Sequence, residues 1–183
     1  MKVWLSILLF FVGNSTDPVT KIAKANKLKK EAKAAYDSSD FSAAIQAYSL
    51  LIDSLEVEDN KARLNLANSA YLISYGGDKM DLLKGITSGQ TQIQDTAELN
   101  AISQDLQYFD IAEKNYKAVK DSREDALASM ASNQLGVISY KMGEQSPDEK
   151  ESFNQAALSN FKYALIRNPN NNQARYNLSL IHI

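Results

Sequence analysis

Apolar residues recur every three or four positions along most of this chain, which is the spacing of one helix face and not the alternation of a strand. In KIAKANKLKKEAKAAY, residues 21–36, the positions Ile22, Ala25, Leu28, Ala32 and Ala35 fall on one side, and Asp17-Pro18 supplies a helix start. Ser39-Asp40 breaks that helix and caps the next, FSAAIQAYSLLIDSL, where Phe41, Ala44, Ile45, Tyr48, Leu51 and Ile52 again share a face. An acidic turn, Glu56–Asp59, leads into a third helix, ARLNLANSAYLISY, ending at Tyr75. Further helices are predicted in YFDIAEKNYKAVKDS, in ASNQLGVISYKMG, in AALSNFKYALIRNP and from Gln173 to Leu178. Seven Gly and three Pro are too few for the frequent turns of an all-β protein, so the predicted class is all-α.

The helices come in pairs that repeat. In the first pair Ala32, Ala44, Phe41, Tyr48 and Leu51 stand at positions that resemble those of the tetratricopeptide repeat, a resemblance that implies close backbone approach at the small Ala32 and Ala44, bulky positions at Phe41 and Tyr48, and a small or apolar one at Leu51. Leu66-Ala67 follows Glu31-Ala32 by 35 residues, and Leu135-Gly136 stands at the same register in a later helix, completed by Ala157, Phe161, Ala164 and Pro169. Phe109, Ala112, Tyr116 and Val119 supply another second helix. This pattern resembles the tetratricopeptide repeat over about Ala25–Ala67 and Phe109–Asn177. The resemblance implies an α-α superhelix, a solenoid of about three to four helix-turn-helix repeats whose first helices line a concave groove. The leader described below, the Asp53-Ser54-Leu55 linker and the closing NPNNNQARYNL further resemble exported repeat proteins of bacterial aerotolerance (Bat) operons.

Two stretches depart from the pattern. Between Gly143 and Ala157 the chain is about nine residues too long, and Ser146-Pro147-Asp148-Glu149 reads as a capping box, so the excess is expected to extend or precede the second helix. The segment between about residues 76 and 107 is a helical insertion or a decayed repeat; Lys79 and Asn100 fall where small residues are required, so it reads as an insertion, with a short helix near Met80–Lys84 and a longer one from about Thr96. The last repeat, residues 172–183, is incomplete and reads as truncated, and no weight is placed on the closing LSLIHI.

Met1-Lys2, the apolar run VWLSILLFFVG and the small polar residues Asn14-Ser15-Thr16 describe a secretory signal peptide over residues 1–15, leaving 16–183 as the repeat domain. Eleven apolar residues are too short to span a bilayer, so no transmembrane anchor is expected after cleavage, and the location is periplasmic or extracellular. The net charge of −2 disfavours nucleic acid as a partner, which needs clustered cations. With no cysteine, one histidine, His182, and no phosphate-cradling glycine motif, neither a catalytic relay nor a metal or cofactor site is expected. The expected activity is binding, without catalysis.

The resemblance also implies which side chains face the groove. On the first repeat these are Asn26, Lys29, Lys30, Lys33 and Tyr36; on the second Lys61, Leu64, Asn65, Asn68 and Tyr71; on the third Met130, Asn133, Gln134, Val137 and Tyr140. Amides and tyrosines suit an extended peptide, offering backbone hydrogen bonds beside rigid apolar surface. Some relatives clamp a C-terminal carboxylate with five polar groups, of which this chain matches two, Lys29 and Asn65. Lys33 replaces an asparagine, and Met130 and Gln134 stand where cations are needed. An acidic or extended protein segment is therefore the expected partner, meeting Lys29 and Lys33. The run Lys21, Lys24, Lys27, Lys29, Lys30, Lys33 otherwise reads as a solvated helix face. A second reading gives the insertion at 76–107 a pocket for a small ligand or cell-wall glycan.

Overall fold

The structure, a computed structural model, describes residues 18–74 and 96–181. The leader, the helix expected near Met80–Lys84 and the last two residues lie outside them. Among the described residues every regular element is helical: α1 Pro18–Asp37, α2 Phe41–Ser49, α3 Asn60–Ser74, α4 Thr96–Lys120, α5 Asp125–Gln145, α6 Lys150–Arg167 and α7 Asn172–Ile181. Residues 96–107 of the anticipated insertion run straight on into the helix expected from Tyr108, as the single helix α4.

Each joint has a local chemical cause. After α1 the chain turns at Ser39, whose φ of 63° lets Ser39 and Asp40 donate backbone N–H groups to the carbonyls of Tyr36 and Ala35 (3.0 and 2.9 Å). Asp40 then caps α2 by accepting the Ala43 N–H at 3.1 Å. The end of α2 widens into a π-helical turn, Leu50–Ser54, closed by the Leu55 N–H on the Leu50 carbonyl. Leu51 and Ile52 are buried as their helical spacing predicts, and Leu55 is buried with them; the π-helical turn itself is a detail that periodicity does not reveal. Asp59 caps α3 through the Ala62 N–H at 2.9 Å, and Asn171 caps α7 through the Ala174 N–H at 3.0 Å. At Ser146 the expected capping box does not form. Its hydroxyl makes no cap hydrogen bond, and its carbonyl accepts the Glu149 N–H to wind a 3₁₀ turn, Pro147–Glu149. The extra residues lengthen α5 and α6 on either side of that turn.

Packing is strictly serial. Each helix rests on the next, and in addition α1 touches α3, α3 touches α5 and α5 touches α7. The odd-numbered helices therefore form one row and the even-numbered helices flank it. A single apolar cluster runs from Ala25 in α1 to Ile138 in α5 and includes Leu51, Leu66, Tyr116 and Val119. Fully buried side chains of this size contribute about 1.5–3 kcal/mol each relative to exposure. The small residues expected at close approaches, Ala32, Ala44, Ala67, Ala112 and Ala157, are all completely buried. At Gly136 the approach is closest: a Cβ there would lie 2.6 Å from Cδ1 and 2.9 Å from Cζ of Phe161, and nearer still to Cε1. Ile22 departs from its expected place and is 62% exposed, because the first turns of the 20-residue α1 run beyond the shorter α2 that would cover them.

Polar cross-links set the later joints. Asn171 Nδ2 donates to Ser129 Oγ (2.9 Å), and Ser129 donates to the Ala164 carbonyl (2.7 Å), tying the start of α7 to α5 and the end of α6. Arg167 holds α6 to the α4–α5 turn through Asp125 (2.6 Å) and the Ser122 carbonyl (2.8 Å), and within α6 it donates to the Tyr163 hydroxyl (2.9 Å).

Candidate functional site

The row of odd-numbered helices carries two furrows, one at each end. The first, of about 190 Å3 between α1 and α3, is lined by Lys29, Lys33, Lys61 and Asn65, with Tyr48 and Asp59 beneath. The second, of about 430 Å3 between α5 and α7, is lined by Asn133, Gln134 and Val137 from α5 and by Asn172, Gln173, Tyr176 and Asn177 from α7. Sequence reasoning placed Lys29, Lys33, Asn65, Asn133 and Gln134 on a common face, and the structure brings them to these two furrows. It did not name the four α7 residues as groove residues. Their signal was present in the period, because Gln173 follows Met130 as one first helix follows another, but the incomplete last repeat was given no site.

Much of this face is already engaged within the fold. Lys29 pairs with Asp59 at 2.7 Å, and Lys33 pairs with Asp37. Burial alone would raise the Asp59 carboxyl, but the hydrogen bonds from Lys29 and from the Ala62 N–H outweigh it and hold the group below the ordinary carboxylate range. Asn65 Nδ2 donates to the Tyr48 hydroxyl at 3.0 Å, and Asn68 Oδ1 accepts the Tyr116 hydroxyl at 2.7 Å, so these amides bind α3 to α2 and α4. Burial pushes the Tyr48 hydroxyl up from its ordinary value, against the hydrogen bond from Asn65, and pushes Tyr116 up further. Both hydroxyls stay protonated donors or acceptors at any ordinary pH. Asn133, only 4% exposed, accepts from Asn177 at 2.9 Å.

The tyrosines are packed too. Tyr36 stands edge-on to Phe41 with centroids 5.9 Å apart, and Tyr71 edge-on to Tyr116 at 6.5 Å, with the Lys141 ammonium 5.5 Å above the Tyr71 ring. Tyr140 is half-buried, and Leu64 belongs to the core. What remains for a ligand is a smaller set. Lys61, Gln134 and Gln173 make no side-chain hydrogen bond or ion pair among the described residues, and Tyr176 is 64% exposed.

The arrangement offers amide donors and acceptors at one end, cations partly compensated by Asp37 and Asp59 at the other, and tyrosine edges between. Such a surface can hydrogen-bond an extended backbone. Residues 76–95, to which a ligand pocket was assigned, lie outside the described residues; in 96–107 the structure has helix α4, with Ile102 and Asp105 buried. Among the described residues no helix is long and apolar enough to cross a membrane. No family model, curated protein or solved structure matches the chain.

Proposed function

We propose that this chain is an exported, non-catalytic adaptor of the tetratricopeptide-repeat type that holds an extended protein segment along its odd-numbered helices. The observation that carries the reading is the pair of polar furrows on that one row, built from the same register positions of α1, α3, α5 and α7. The serial contacts, odd helix to odd helix with even helices alongside, support the repeat assignment, as do the buried small residues at Ala32, Ala44, Ala67, Ala112 and Gly136. The partner's main chain lies against Gln134, Gln173 and Tyr176, and an acidic stretch of it meets Lys61 and the lysines beside it.

The test is a pull-down from the exported fraction of the native cell with the full-length protein, repeated with Gln134→Ala/Gln173→Ala and with Lys61→Ala. These side chains make no internal bonds, so their loss leaves the fold intact, whereas Asn65→Ala or Asn68→Ala would also cut a helix-to-helix hydrogen bond. Partners should be depleted in both variants, and the Lys61 effect should shrink as salt rises. Identical recovery from the parent and both variants would remove the row as the binding face.

A further inference from the structure

A second cleft opens on the opposite side of α5. Leu135, Ile138 and Met142 form its floor, Phe153 and Ala156 of α6 one wall, and the last turns of α4 the other, enclosing about 280 Å3. These α5 positions point away from Asn133, Gln134 and Val137, so the cleft and the amide furrow share a helix but not a surface. Leu135 and Ile138 are 6% and 2% exposed, and Met142 and Phe153 are half-buried. The floor is therefore apolar, and Glu113, Lys117 and Ser139 line the cleft above it together with Lys120 and Asn160.

Its rim carries one uncompensated cation. Lys120 Nζ donates to Asn160 Oδ1 at 2.8 Å and lies 5.2 Å from the Tyr163 ring centroid, with no carboxylate partner among the described residues. Nearby Lys117 is already paired with Glu113 at 2.9 Å, so that neighbour adds little field of its own. The Lys120–Asn160 contact also bridges α4 to α6 across the cleft lining. A short apolar group ending in an anion matches the apolar floor and the Lys120 ammonium. The volume lies just below the range of about 300–1,000 Å3 for drug-sized ligands, which points to a compact one.

We propose that this cleft binds a small, free aliphatic carboxylate, with its hydrocarbon on Leu135, Ile138, Met142 and Phe153 and its carboxylate at the Lys120 ammonium. The site is independent of the peptide-binding row.

The experiment titrates the full-length protein with octanoate and, separately, with the neutral isostere octanol, by calorimetry. Octanoate should saturate one site and bind about tenfold or more tighter than octanol, the value of one hydrogen bond between charged groups. In Lys120→Gln the two probes should bind alike. Ala156→Leu, at an exposed wall position, should fill the cleft and abolish both titrations while leaving the melting temperature unchanged. Absence of saturable octanoate binding, equal affinities for the two probes in the parent, or undiminished binding to Ala156→Leu would each overturn the assignment.

Discussion

Replacing Gly136 by alanine adds one methyl group at the tightest point between α5 and α6. The new Cβ would lie 2.6 and 2.9 Å from two Phe161 ring carbons and nearer to a third, well inside van der Waals contact. The ring has nowhere to retreat: Phe161 is 1% exposed, and Ala157 and Ala164, one turn to either side, are completely buried. Relief must come from moving α6 or forcing the ring off its rotamer, and overpacking of this kind costs about 1–3 kcal/mol. Alanine in a helix interior regains about 0.8–1.0 kcal/mol over glycine, so the two effects oppose each other. With contacts this short the steric term is the larger, and a net loss of up to about 2 kcal/mol is expected. Urea denaturation followed by far-UV circular dichroism should show a lower midpoint with an unchanged slope. Shortening the ring in Gly136→Ala/Phe161→Leu should recover part of the loss, giving a coupling of about 0.5–3 kcal/mol in the double-mutant cycle. A midpoint equal to or above the parent's for Gly136→Ala alone would refute the close-approach reasoning.

Ser39→Gly should stabilise the fold by about 0.5–1 kcal/mol, because Ser39 holds a φ of 63° that glycine adopts without strain; a lower melting temperature would contradict this. Tyr116→Phe removes the donor to Asn68 Oδ1 at 2.7 Å and should cost about 0.5–1.5 kcal/mol in the same denaturation assay, with no loss if that bond is idle. Asp59 titrates below its ordinary value of 3.8 in the folded chain, so the unfolded state takes up the proton first. Its contribution is full above that ordinary value and is lost as pH falls through the lower, folded one. Asp59→Asn should accordingly be less stable at neutral pH and lose less stability on acidification, and parallel curves for parent and variant would exclude the Lys29 pairing as a source of stability.

The helices were legible in the sequence because packing, propensity and capping agree there. Ala32, Ala44 and Gly136 stand at the small positions of the repeat and are buried, and Asp40 caps its helix as expected; that Gly136 meets the Phe161 ring is seen only in the structure. Features that depend on how far one helix reaches past another were not legible. Ile22 sits on the predicted apolar side of α1 and yet is exposed, since periodicity says nothing about where the covering helix stops. Ser146 has the composition of a capping box, but the tight turn at Pro147 places its hydroxyl out of reach of the amides it would cap. The candidate face was legible as a set of positions and not as a set of available groups. Asn65, Asn68 and Asn133 look alike in sequence to Gln134, and only the placement of Tyr48, Tyr116 and Asn177 shows that the first three are tied into the fold.

The serial contacts have a mechanical consequence. Among the described residues no strand or strap joins the first helices to the last, so a load applied to α1 and α7 is carried through their interfaces in turn and is not shared by all of them. Extension should proceed interface by interface, at forces set by the local joints. The α5–α6 pair, with the widest contact and the Arg167 and Ser129 links at its end, should yield after the α1–α2 pair, whose joint rests on a strained serine. A partner lying along the odd-numbered helices would bridge several interfaces at once and so stiffen the row, turning a compliant spring into a strut for as long as it stays bound.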